Sequence, residues 1–160
     1  MDEYLPYTIE LGRSFVHPDY QATKMGSKSL YSLDNLWDGL GAITVLRPDM
    51  KYFFGKVTVY PSYDEVAREC IFTFLNTYFP DAENLVEPIE PFNRPEIAKD
   101  FEGLFKGVGF KEEYKILNSN VRERGVNIPP LVNTYMGLSA KMKSFGYAVC
   151  EELGGLIEFA

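Results

Sequence analysis

Apolar and polar positions divide the first half of the chain into alternating strand-like and helix-like stretches. Residues 8–16 are mostly apolar and predict a central strand. The polar segment 17–35 predicts a loop. Residues 36–46 have helical spacing of apolar side chains, and 52–60 is rich in aromatic and β-branched residues, which favour a strand.

A second helix is predicted directly after this strand. Ser62 and Glu65 have the spacing of a capping box, and Pro80 lies beyond the end of the apolar pattern. Residues 8–78 therefore read as strand, loop, helix, strand and helix. This order predicts a parallel pair of strands with a right-handed crossover.

The second half of the chain begins with an acidic segment, 80–100, whose four prolines predict an extended surface excursion. Helices are predicted over 111–123 and from the Pro129-Pro130 pair through 143, and short strands over 147–150 and 155–159. We therefore expect an α/β fold with α+β character. It would have a mixed sheet with a central strand, crossover helices and short C-terminal strands.

Length and charge limit the possible functions. A chain of 160 residues suits a single domain, 1–160. The net charge of −7 argues against nucleic-acid binding, although residues 11–60 hold six basic and four acidic residues. No apolar run is long enough to span a membrane, and the first residues do not resemble a signal peptide, so we expect a cytoplasmic protein.

Few residues in this sequence could bind a metal. The chain has one histidine and two cysteines, Cys70 and Cys150, without the spacing of metal ligands. Two buried free thiols in a reducing compartment are favoured over a disulfide. The sequence therefore predicts no metal site.

Two charged residues interrupt the first predicted strand. Glu10 and Arg13 are candidates for function, because a charge in a buried strand is costly unless it is paired or used. Their odd spacing places them on opposite faces of a regular strand, so a direct pair would need a bulge or a twist. The alternative for Arg13 is a structural ion pair.

Several segments together resemble one family. They are Glu10-Leu-Gly-Arg-Ser-Phe-Val-His-Pro-Asp-Tyr20, Leu36-Trp-Asp-Gly-Leu40, Arg47-Pro-Asp-Met-Lys-Tyr-Phe-Phe-Gly55 and Ile128-Pro-Pro-Leu-Val-Asn-Thr-Tyr-Met136. In order and spacing they resemble the GNAT-type acyltransferases of the group labelled hemolysins, which includes the ornithine-lipid and glycine-lipid N-acyltransferases. The resemblance covers most of the chain and is least clear over 80–110.

The resemblance implies a reaction and roles for the two charged residues. An N-acyltransferase of this type moves a (3-hydroxy)acyl group from acyl carrier protein to the amine of an amino acid in aminolipid synthesis. Glu10 would act as general base on the acceptor amine, directly or through water. Arg13 would bind the acceptor carboxylate or orient Glu10.

A loop after the central strand would bind the phosphate of the donor. Lys24, Gly26, Ser27 and Lys28 supply cations, hydroxyl and flexibility for an anion before a helix N-terminus. They depart from the Gln/Arg-x-x-Gly-x-Gly/Ala pattern of coenzyme A users, which favours acyl carrier protein as donor. The alternative is a solvated surface loop. No metal or redox cofactor is implied.

Aromatic residues and the single histidine have structural alternatives. Phe53, Phe54, Phe72 and Phe74 would line an acyl pocket or pack in the core. His17, before Pro18, fits a hydrogen-bonded turn better than a catalytic base.

Members of this family normally have strands and helices ahead of the central strand, whereas this chain begins almost at that strand. We therefore expect residues 1–160 to lack that part of the domain. The alternative function is a non-catalytic truncated module that binds acyl carrier protein or a partner subunit. Exposed sheet edges would favour a homo-oligomer, and an acylated product would favour peripheral contact with the inner face of the membrane. An acyl-homoserine-lactone synthase is a further possibility that no residue here specifies.

Overall fold

A computed structural model describes residues 3–12, 17–20, 30–90 and 92–160. The side chains of 20 and 30–34 are outside this description. The chain divides into two compact units, 1–55 and 56–160, and each is described by itself.

Unit 1 contains a parallel pair of strands connected through a helix. A 3₁₀ turn, Leu5–Tyr7, leads into β1 (Thr8–Leu11), and α1 (Leu30–Leu46) precedes β2 (Tyr52–Gly55). β1 pairs in parallel with β2, so the predicted parallel pair is confirmed. The remainder of the predicted strand, 13–16, lies outside the described residues.

α1 begins earlier than its apolar spacing predicts. The prediction placed residues 17–35 in a loop, but the helix already includes 30–35. Leu30 and Leu33 continue the apolar spacing of Leu36 and Leu40 toward the N-terminus. The polar residues between these leucines hid that continuation.

The single strand predicted over 52–60 is wrong, because the structure has two strands there. β2 ends at Gly55, and β3 (Val57–Val59) belongs to another sheet. A glycine in a strand has no side chain to pack and often marks a bend. β3 pairs with β5, a strand about a hundred residues later in the chain, which no local pattern reveals.

Unit 2 packs helices around a three-stranded antiparallel sheet in the order β3-β5-β4, where β4 is Tyr147–Cys150 and β5 is Leu156–Phe159. The remaining helices are α2 (Glu65–Tyr78), α3 (Phe110–Glu123) and α4 (Pro130–Leu138). The buried apolar core combines α2 with residues of β3, β5, α3, α4 and the loops around them, and half-buried Tyr147 of β4 packs against it. The mixed α+β fold class is therefore confirmed.

The helix ends of unit 2 correct two predictions. The N-cap of α2 is Asp64, whose carboxylate accepts a hydrogen bond from Ala67 N at 2.8 Å, so Ser62 is not the cap. α4 ends at Leu138 and not at 143, because Ser139 is extended and its hydroxyl accepts a hydrogen bond from Lys141 N in the following turn. α3, β4 and β5 lie within one residue of their predicted bounds.

The proline-rich segment is only partly a surface excursion. Glu96–Phe101 forms a 3₁₀ helix, and Ala98 and Phe101 on it are buried. Among the residues that the structure describes, no helix is both long and apolar enough to cross a membrane.

Candidate functional site

Glu10 lies in the middle of β1 with an exposed side chain. The expected burial of this charge is therefore wrong, because this face of the strand is open to solvent. In the parallel register Glu10 lies opposite Phe54 of β2, so the two side chains project from the same face. An exposed carboxylate at this position is accessible to a substrate amine.

Aromatic residues surround the start of this strand pair. The rings of Tyr4 and Tyr52 are 5.2 Å apart, and Lys51 Nζ lies 4.5 Å from the centre of the Tyr7 ring. Tyr52 and Phe53 each remain 43% exposed. An accessible carboxylate beside aromatic faces can accept a proton from an amine and contact apolar or cationic groups of a ligand.

The other predicted site residues fall outside the described part of the chain. Arg13, Lys24, Gly26, Ser27 and Lys28 are all among the residues not described. The pairing of Glu10 with Arg13 and the phosphate loop therefore stay predictions.

His17 takes part in a turn, as its position before Pro18 indicated. The backbone N–H of Asp19 donates to His17 Nδ1 at 3.3 Å, and the same nitrogen lies 3.6 Å from the Asp19 carboxylate. The imidazole is exposed, with 63% of its side chain accessible. These local contacts account for the histidine without a catalytic role.

Two of the four aromatics proposed for an acyl pocket are core residues. Phe72 and Phe74 are 1% and 0% exposed. The Phe72 ring stacks on Tyr147 with centroids 4.0 Å apart, and Phe74 meets Phe105 edge to face at 5.1 Å. The prediction that Phe72 and Phe74 line an acyl pocket is therefore wrong, because neighbouring rings fill the space beside them. Phe54 is half-buried and belongs to unit 1.

α2 also carries a buried ionic cluster that the sequence patterns did not predict. Glu69 is 0% exposed and accepts hydrogen bonds from Arg68 Nε at 3.2 Å and Arg94 Nε at 3.0 Å. Arg94 also donates to the hydroxyl of Thr73 at 2.9 Å and lies over the Tyr147 ring. This cluster fixes the segment around Arg94 against α2, so its role is structural. In the sequence, Arg68 and Glu69 resemble the exposed charged residues of an amphipathic helix, so no pattern indicated that they are buried.

A second buried carboxylate organises the loop before α3. Glu113 accepts hydrogen bonds from Lys106 N at 3.0 Å, Gly107 N at 3.2 Å and the Tyr78 hydroxyl at 2.8 Å. The Tyr78 oxygen in turn accepts from Gly109 N at 3.2 Å. Burial acts to raise the pKa of Glu113, but these hydrogen bonds outweigh it and lower the pKa below its ordinary value.

Unit 2 also contains a cleft of about 200 Å³ between α2, the 96–101 turn and the end of α3. Cys70 lines it, and burial raises the pKa of this thiol to about 12. A protonated, buried thiol is a poor nucleophile, so Cys70 is unsuited to carry an acyl group. Both cysteines are free, as predicted, although Cys150 is only half-buried.

The described part of the chain was searched for side chains that could bind a metal ion. No group of three or more His, Cys, Asp or Glu side chains there is arranged to hold a metal ion.

Two curated proteins are similar to this chain over almost all of its length. The protein named glycine N(alpha)-acyltransferase from Phocaeicola vulgatus is 54% identical over 158 residues, which cover 99% of this chain and 48% of the relative. The protein of the same name from Bacteroides thetaiotaomicron is 56% identical over 156 residues, covering 98% of this chain and 46% of the relative. The chain thus spans about half the length of the curated relatives it matches.

The other comparisons found no counterpart. No protein-family model matches the chain, and no solved structure matches it. The similarity to proteins named as N-acyltransferases supports that part of the resemblance, while the relation to GNAT proteins and to the hemolysin-labelled group stays a prediction.

Proposed function

We propose that this chain functions in N-acyl transfer, moving an acyl group from a thioester to the amine of an amino acid. The observation that carries the proposal is 54% and 56% identity, along 99% and 98% of this chain, to two proteins named glycine N(alpha)-acyltransferase. Glycine is therefore the first acceptor to test. The donor we favour is a (3-hydroxy)acyl group on acyl carrier protein, with the product entering aminolipid synthesis.

The chemistry requires a base, and Glu10 is our candidate. The ammonium group of the acceptor must lose a proton before its nitrogen can attack the thioester carbonyl. The new C–N bond forms as the C–S bond breaks, and the departing sulfur takes up a proton. The exposed position of Glu10 on β1 supports this role, because a free amine can reach the carboxylate without displacing core residues.

Binding of both substrates is assigned to residues around the same strand. Arg13 would pair with the carboxylate of the amino acid, because the planar guanidinium can donate two parallel hydrogen bonds to its two oxygens. Lys24, Gly26, Ser27 and Lys28 would hold the phosphate of the donor's pantetheine arm. These roles follow from the sequence resemblance.

The second candidate is a non-catalytic module that binds acyl carrier protein or a partner subunit. The chain spans about half the length of its curated relatives, and the assay below tests this alternative directly.

A single transfer assay separates the two candidates. The purified chain is incubated with 3-hydroxyacyl carrier protein and an equimolar mixture of amino acids, and N-acyl amino acids are identified by mass spectrometry. The Bacteroides thetaiotaomicron relative serves as positive control. An N-acylglycine from both proteins supports the enzyme proposal. Product from the relative alone supports the module, and another acylated amino acid overturns glycine as acceptor.

A further inference from the structure

The cleft in unit 2 is lined by charged and apolar side chains together. Its charged residues include Asp100, Glu123 and Arg124. Half-buried Val66 and Ile97 belong to its apolar part. The volume of about 200 Å³ holds several waters but lies below the roughly 300–1,000 Å³ of sites for drug-sized ligands. The cleft therefore suits a small polar molecule with a short apolar part.

Two opposite charges line this cleft without pairing. Among the residues that the structure describes, the side chains of Asp100 and Arg124 form no ion pair or hydrogen bond, either with each other or with a third residue. Both side chains are exposed, so a ligand can reach their charges without displacing core residues. A molecule that carries one charge of each sign can therefore contact both of them within one cleft.

The end of α3 makes part of the cleft favourable for an ammonium group. Glu123 is the last residue of α3, and Asn120 lies one turn before it. The Asn120 amide nitrogen donates to the Ile116 carbonyl at 2.9 Å, which leaves the amide oxygen able to accept a hydrogen bond. The C-terminal end of a helix carries a negative partial charge, which also favours a cation. Asp100, Asn120 and Glu123 thus supply acceptors for the three N–H donors of an ammonium group.

Arg124 supplies the opposite charge at the same cleft. It is the C-cap residue of α3, and its planar guanidinium can donate two parallel hydrogen bonds to a carboxylate. Val66, Ile97 and buried Phe101 then remain to contact an apolar side chain. We infer that the cleft binds a free α-amino acid with a short aliphatic side chain. This site does not depend on the proposed acyl transfer, and its apolar lining favours a ligand other than glycine.

The first test uses three matched probes and no acyl donor. Backbone amide shifts of the full chain are followed by nuclear magnetic resonance during titration with L-valine, with isobutylamine, which lacks the carboxylate, and with isovalerate, which lacks the amine. We expect valine to bind with a Kd of about 1 mM and to shift amides around Ile97 and Asn120. Each half-ligand should bind about fivefold more weakly, because one charged contact is lost. Glycine should also bind about fivefold more weakly, because it leaves the apolar lining uncovered.

Two substitutions test the two charges of the site separately. Arg124→Gln should weaken valine and isovalerate binding about fivefold and leave isobutylamine binding unchanged. Asp100→Asn should weaken valine and isobutylamine binding and leave isovalerate binding unchanged. Arg122→Gln and Glu102→Gln are the controls, since they make the same charge changes at exposed residues outside the cleft lining. Because all four side chains are exposed, unchanged far-UV circular dichroism and melting temperature will show that the variants are folded.

The outcomes separate this inference from the proposed function. Equal affinity for valine and isobutylamine, or equal weakening by Arg124→Gln and Arg122→Gln, would overturn the amino-acid site. The absence of a saturable shift around the cleft at about 10 mM valine, ten times the expected Kd, would also overturn it. Glycine that shifts the same amides with the affinity of valine would overturn the preference for an aliphatic side chain. Acyl transfer by a chain that does not bind valine refutes this site alone, whereas valine binding without acyl transfer refutes the enzyme alone.

Discussion

At the scale of single residues, the position of Glu10 determines what it can do. Its side chain is exposed on β1, so it bears no desolvation cost that a fixed partner must offset. A carboxylate of this kind is free to change partners as substrate enters and product leaves. Accessibility, and not burial, is therefore the physical argument for Glu10 as the general base.

The first prediction concerns this carboxylate. We expect Glu10→Gln to lower kcat by about 10²–10⁴-fold with little change in KM for the donor, because a general base contributes roughly that factor. Steady-state formation of the N-acyl amino acid measures it. Glu3→Gln, a change at another exposed glutamate of unit 1, is the matched control. If the Glu10→Gln variant keeps the parental kcat, Glu10 is not the general base.

The second prediction concerns the reactivity of the two thiols. Burial raises the pKa of Cys70 to about 12, so only about one molecule in 10⁴ carries its thiolate at pH 8. We expect iodoacetamide at pH 8 to label half-buried Cys150 in the folded chain and to leave Cys70 unmodified until the chain is unfolded. Peptide mass spectrometry reads both sites. Rapid labelling of Cys70 in the folded protein would show that the thiol is not enclosed as the structure has it.

At the scale of elements, the contacts of α2 with distant parts of the chain are the main determinants of unit 2. The third prediction tests the cluster around Glu69, a buried carboxylate paired with two arginines. Arg94→Met should lower the free energy of unfolding by about 3 kcal/mol, because removing one partner leaves a buried charge less compensated. Lys99→Met removes an exposed pair with Glu96 and should cost at most about 1 kcal/mol.

Urea unfolding followed by circular dichroism compares these two variants. Methionine retains most of the length of both side chains, so the comparison isolates charge and hydrogen bonding. An equal, small loss for both would mean that the cluster contributes no more than a surface ion pair.

The fourth prediction follows from the carboxylate that holds the loop before α3. The pKa of Glu113 is lower in the folded chain than its ordinary value of 4.5. The Glu113 carboxylate therefore binds a proton more readily in the unfolded chain than in the folded chain. The stabilisation is fully present above about pH 4.5 and is lost as the pH falls through the folded-state pKa. Glu113→Gln should therefore reduce the melting temperature at pH 7 and reduce its dependence on pH in the acid range. Thermal melts between pH 3 and pH 7 will show whether the two curves converge in acid, as expected.

Local sequence patterns predicted some elements closely and could not predict others. The bounds of α3, β4 and β5 follow from helical spacing and flanking glycines. The division of 52–60 into β2 and β3 depends on pairing with β5, about a hundred residues away. For the site, the sequence identified Glu10 but gave the wrong environment, because the exposure of one strand face depends on what the rest of the fold covers. Arg13 and the four residues of the phosphate loop lie outside the described residues.

At the scale of the whole molecule, the buried side chains that the structure describes are unevenly divided between the two units. Every buried apolar residue that the structure describes lies within 56–160, from Val57 to Phe159. In unit 1 the described side chains are at most half-buried, and the residues described there form a sheet of two strands. Since burial of apolar surface is the main source of stability, the units should differ in their resistance to opening.

The fifth prediction is that unit 1 opens before unit 2. Native-state hydrogen exchange read by mass spectrometry should show amides of β1 and β2 exchanging faster than those of α2 and β5. Limited proteolysis should then cleave within 1–55 first and leave a protected fragment that begins near residue 56. A smaller difference in the presence of a carrier protein would mean that binding stabilises unit 1 as well. Equal protection of both units in the free chain would contradict the division, because it would require unit 1 to be stabilised by something other than its own buried surface.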